Sequence, residues 1–176
     1  MCCEHARLMH RSSTVTNLLF GTGGAIAGTV YGTIVVMATV TAAYSSEQDP
    51  WRLALIVWST GLVFWIAHLY SHGLAESISR RQRLTGSELA QIARREVGIL
   101  LAAALPSSAL LLGALGVIRE ARAVWLALAL GLVTLGAEGI RYARLETLSG
   151  RATLVIVAAN LGLGLLVVAL KVAVAH

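Results

Sequence analysis

The chain alternates long uncharged stretches with short charged turns, and that pattern limits what it can fold into. From Ser12 to Ser46 no residue carries a formal charge. About 20 apolar residues suffice to cross a bilayer as a helix. Apolar runs of at least that length recur four more times, giving spans over Leu18 to Ala43, Arg52 to His72, Val97 to Ile118, Ala123 to Leu145 and Ala152 to Ala175. Backbone amides buried in lipid must bond within their own segment, so such spans are helices. The expected fold class is therefore all-α: a polytopic membrane helix bundle with five transmembrane helices, residues 18–176, preceded by a basic tail over residues 1–17.

Composition supports this. The 176 residues are 57% hydrophobic and 13% charged, where a soluble domain carries about 25% charged residues. The net charge of +5 gives no reason to expect a nucleic-acid partner, because the basic residues stand between apolar spans rather than on one face. All basic residues but Lys171 are arginine, a usage that fits a GC-rich bacterial genome and so the bacterial inner (plasma) membrane. Cys2 and Cys3 are neighbours, close no structural loop and match no zinc spacing. The first apolar run is too long for a cleavable signal and is expected to be retained.

The arginines also set an orientation. With five spans, Arg7, Arg11, Arg80, Arg81, Arg83, Arg94, Arg95, Arg141, Arg144 and Arg151 fall on one side, against Arg52, Arg119, Arg122 and Lys171 on the other. The positive-inside rule puts the richer side, and with it the N-terminus, in the cytoplasm.

Three local patterns shape the bundle. Gly24, Gly28 and Gly32 repeat every four residues and flatten one face of the first helix, so that a neighbouring backbone can approach closely. That neighbour is either another helix of the chain or a second copy, and a homo-oligomer is expected. Thr85 and Glu88 fit a capping box at the start of a helix that leads amphipathically into the third span. Pro106 lies within that span, where it predicts a kink and an unpaired carbonyl near Ala102.

The candidate functional residues are the polar ones inside the spans, since ionisable groups are costly there. His68 and His72 lie four apart on the second helix and share a face, with Glu76 four further on. Glu138 stands on the fourth span and Asn160 on the fifth. At 1.5 Å per residue, His68 lies about 25 Å below Trp51 and Glu138 about 24 Å below Arg122. The two are thus expected at one depth in the inner half of the membrane, with His68 facing Glu138. The polar cluster His68, His72, Glu138 and Asn160 suits a proton relay or a cation layer. Histidines at i and i+4 can also bind one transition-metal ion given a third ligand, for which Glu138 or Glu76 would serve, but His-x-x-x-His alone is a weak signal, and no metal or other cofactor is expected. Each residue also has a plainer use. His72 can sit among headgroups, Glu138 can pair with Arg141, and Asn160 can bond a neighbouring helix.

Phe64-Trp65-Ile66-Ala67-His68 resembles a Trp/His segment of small bacterial potassium channels, but the first helix lacks the Phe-Ser-Asp motif that defines that family. There is no Gly-x-Ser-x-Gly motif and no legible nucleophile–base set, so an enzyme is not expected. The sequence points to an ion channel or carrier for protons or monovalent cations. The alternative is a non-transporting membrane subunit or assembly partner.

Overall fold

The computed structural model describes residues 24–44 and 49–174, so the N-terminal tail, Cys2, Cys3, Gly21 and the start of the first span lie outside the described residues. The described residues form six helices and no strand: α1 (Gly24–Ala43), α2 (Pro50–Arg80), α3 (Gly86–Arg95), α4 (Val97–Ala114), α5 (Glu120–Leu145) and α6 (Gly150–Val174). Five helical stretches are long and apolar enough to cross a membrane, one of them being α3 and α4 taken together. The second helix continues eight residues past His72, through Ser79 to Arg80 at the start of the basic cluster.

The helix ends follow from local chemistry. Asp49 caps α2, its carboxylate accepting from the Trp51 N–H at 3.0 Å, and Pro50 fills the first turn where its missing N–H costs nothing. α2 stops at Arg81, which adopts a left-handed conformation with φ 53°. Its N–H returns to the Ile78 carbonyl, and the Gln82 N–H returns to the Ser77 carbonyl. α3 opens on the expected capping box: the Thr85 N–H donates to Glu88 Oε2 at 2.8 Å, and the Glu88 N–H donates to Thr85 Oγ1 at 3.4 Å.

α1 and α4 form the centre. Gly32 faces Ile99 and Ala102, and Gly98 faces Ala25 and Thr29, so small residues on both helices let the backbones meet. α2 and α5 pack on either side of this pair and touch each other only marginally. Met37 of α1 fits between Gly131 of α5 and Gly164 of α6. The core is completed by Leu53 and Val57 of α2, Leu110 of α4, and Leu128 and Leu135 of α5. α6 leans on α1 and α5 and is otherwise uncovered. Trp51 and Trp58 point out of the bundle, whereas the Trp65 indole N–H donates to the Ala93 carbonyl of α3 at 3.2 Å.

α4 stays helical through Pro106. The Ser108 hydroxyl donates to the Leu105 carbonyl at 2.6 Å rather than to Ala102, and among the described residues the buried Ser107 hydroxyl has no partner.

The α1–α4 contact makes glycines of equal spacing unequal in tolerance. A methyl group on Gly32 would lie 2.9 Å from Ile99 Cα, and one on Gly98 2.6 Å from Thr29 Oγ1 and 2.8 Å from the Ala25 carbonyl. One on Gly28 would make ordinary contacts at 3.6 Å, and one on Gly162 would meet nothing within 4 Å. Gly32→Ala and Gly98→Ala are expected to destabilise by about 1–3 kcal/mol, with Gly28→Ala and Gly162→Ala within about 0.5 kcal/mol of wild type. Unfolding in detergent micelles measures this, and equal effects at all four positions would refute the packing.

The capping box makes a second prediction. The Thr85 N–H, then the Thr85 hydroxyl, and last the nearby Arg80 charge hold the Glu88 carboxyl below its ordinary range. A lowered folded-state value means the support is complete above the ordinary carboxylate range and is lost as pH falls through the lowered value. Amide exchange in the first turn of α3 should therefore speed up only at acid pH, and Glu88→Gln should remove that pH dependence.

Candidate functional site

The arginine-rich end of the bundle gathers four polar side chains from three separate parts of the chain. His68 and His72, one turn apart on α2, bring their ring centres to 5.9 Å. His68 Nδ1 lies 3.2 Å from the Phe64 carbonyl. A carbonyl can only accept, so Nδ1 carries the proton in that bond, and in the neutral ring Nε2 is left as the acceptor. Tyr31 of α1 stacks at a tilt on His68, ring centres 5.0 Å apart, and meets Phe64 edge-on at 6.0 Å.

The fourth member is Glu96, at the one-residue break between α3 and α4. Its φ of −87° and ψ of 0° end one helix and begin the next. Glu96 Oε1 lies 3.0 Å from His72 Nδ1. The carboxylate side chain is 5% exposed, while the His72 side chain is 55% exposed. A buried carboxylate needs compensation, and two sources are present. One is the imidazole. The other is the N-terminus of α4, whose dipole favours negative charge. Gly28 of α1 lies over the carboxylate, a methyl group there standing in ordinary contact 3.6 Å from Glu96 Oε2.

The remaining candidates lie elsewhere. Glu138 of α5 meets Arg141 on its own helix at 3.4 Å. Asn160 of α6 donates from Nδ2 to the Leu135 carbonyl of α5 at 3.2 Å, seated against Gly139. Among the described residues no hydrogen bond or ion pair joins Glu138 or Asn160 to the histidines, because α1 and α4 lie between α2 and α5. The expected face-to-face arrangement of His68 and Glu138 is thus replaced by His72 meeting Glu96. Glu76, four residues beyond His72, meets Arg80 at 2.6 Å, and Arg80 also reaches Glu88 at 2.8 Å. No group of three or more His, Cys, Asp or Glu among the described residues is arranged to hold a metal ion.

Glu96 and Tyr31 were not singled out from the sequence. Glu96 follows Arg94 and Arg95 on a helix whose pattern reads as amphipathic, which gives no sign of burial. The signal that could have found it is its place as the last charge before the uninterrupted run from Val97 to Leu105. Comparison with family models, characterised proteins and solved structures returns no match.

The His72–Glu96 contact predicts energetic coupling. His72→Ala leaves the carboxylate buried and unpaired and is expected to cost about 1–3 kcal/mol. Once Glu96 is glutamine, the same substitution should cost clearly less. A double-mutant cycle measured by unfolding in micelles should show non-additivity of about 0.5–3 kcal/mol, and strict additivity would rule out the pair.

Proposed function

We propose that this is a small multi-pass membrane protein that moves protons, as a channel or carrier, through a mouth formed by Tyr31, His68, His72 and Glu96. The observation that carries the reading is the 3.0 Å contact between an exposed imidazole and a buried carboxylate. An imidazole carries one nitrogen that donates and one that accepts, so the exposed His72 can take a proton from solvent on one nitrogen and pass one from the other to Glu96, 3.0 Å away, or, one turn up the helix, toward His68. Layers that bind alkali cations are built from oxygen ligands. Here two of the four groups are imidazoles, which favours protons over monovalent metal cations.

The arginine bias supports a cytoplasmic N-terminus and a cytoplasmic mouth, in the bacterial inner membrane. Gly28 and Gly32 are covered by α4 of the same chain, so a homo-oligomer would form through another face. A second reading, a non-transporting membrane subunit, is favoured by one observation: Glu138 and Asn160 are both satisfied by near neighbours.

Reconstitution into vesicles bearing a pH gradient distinguishes the two. Wild type should dissipate the gradient, and His72→Ala, His68→Ala and Glu96→Ala should each slow dissipation about tenfold or more, since a positioned proton-transfer group contributes about 10²–10⁴ in rate. Glu138→Gln should leave the rate near wild type. A folded wild type that moves neither protons nor monovalent cations would leave the subunit reading.

A further inference from the structure

We infer that the α2–α3 hairpin carries a binding surface for anionic phospholipid headgroups, formed by Arg81, Arg83, Arg94 and Arg95. The inference rests on the bilayer reading of the five long helices and is independent of proton movement.

Length comes first. α2 has 31 residues, about 46 Å at 1.5 Å per residue. The hydrocarbon core is about 30 Å thick and the whole bilayer about 40–45 Å. With Trp51 at the edge of the hydrocarbon on one side, the core ends close to His72 and the headgroup layer ends close to Glu76. α3 runs back along α2 from this far end: Leu89 packs near Gly73, and the Ala93 carbonyl accepts from Trp65. Arg94 and Arg95, next to the Glu96 that meets His72, thus stand at the hydrocarbon edge of the headgroup layer. Arg81 and Arg83 stand at its water edge.

Charge comes second. Arg80 is neutralised by Glu76 and Glu88. Arg81, Arg83, Arg94 and Arg95 are exposed, and no ion pair engages them among the described residues. The turn that presents them is held in shape: the Ser77 hydroxyl donates to the Gln82 carbonyl at 2.9 Å, and the capping box secures the start of α3.

The third observation chooses the occupant. Tyr70, Leu74 and Ile78 recur every four residues along α2 and are 68%, 45% and 74% exposed. This apolar stripe continues to within two residues of Arg80. An anionic phospholipid covers both surfaces at once, phosphate on the guanidiniums, glycerol along Leu74 and acyl chains over Tyr70, where the hydrocarbon begins. A soluble phosphate or an acidic protein segment answers only the charge.

The test is thermal unfolding of the purified protein in neutral detergent micelles, with added phosphatidylglycerol or phosphatidylcholine. Phosphatidylglycerol should raise Tm and phosphatidylcholine should not. The rise should shrink at about 1 M salt, where the screening length is about 3 Å. Each arginine removed should weaken apparent lipid affinity about fivefold, the equivalent of about 1 kcal/mol per basic residue near an anionic surface. The Arg81→Gln/Arg83→Gln/Arg94→Gln/Arg95→Gln variant should lose the Tm rise, and Arg119→Gln/Arg122→Gln, at the other end of the bundle, should keep it. Equal shifts with both lipids, a full shift in the fourfold variant, or the same shift from inorganic phosphate or polyglutamate would overturn the inference. Should the fourfold variant fail to fold, the wild-type salt dependence decides, and a salt-independent rise overturns it.

Discussion

The close approach of α1 to α4 is the contact on which the other elements depend. Lipid offers apolar side chains nearly the environment a neighbouring helix does, so burial alone does not hold helices together there. Close backbone approach, many weak dispersion contacts and a few polar bonds must do it. Gly32 and Gly98 allow that approach, and α2 and α5 then have a two-helix surface to pack against. The same contact separates α2 from α5 and so decides which polar groups can meet.

Much of the fold was legible in the sequence. In lipid a long apolar run must be a helix, and five apolar runs of this chain are helical. Caps at Asp49 and Thr85 are local events and could be expected from a few adjacent residues. Helix neighbours were less legible. Depth arithmetic ranks residues along the membrane normal but carries no information about rotation or adjacency. His68 and Glu138 were placed at one level and joined, when two helices stand between the segments that carry them. Asn160 was recognised as a candidate hydrogen-bonding group between helices, but Leu135 as its partner could not be named, because a backbone carbonyl has no sequence signature.

The site itself was half legible. His68 and His72 were visible as costly residues in an apolar run. Glu96 was not, because its burial comes from tertiary contact: α1 closes over it through Gly28, and the break between α3 and α4 turns it inward. A carboxylate at such a break sits where one helix ends and another begins, so the field of α4 stabilises the charge that His72 compensates. Arg94 and Arg95 just before it sit at the C-terminal end of α3, where positive charge is favoured for the same reason. Adjacent residues of opposite sign are thus each suited to the helix end they occupy.

The uncovered position of α6 bears on how the chain matures during synthesis. The fully buried apolar cluster is drawn from α1, α2, α4 and α5, with α6 adding only the partly buried Val167 and Val168. Every helix of that cluster has left the ribosome before α6 does. Coming after them in the chain, α6 has that cluster to dock on, laying Gly164 over Met37 and joining Asn160 to the Leu135 carbonyl. Order along the chain and depth of burial thus run together among the described helices.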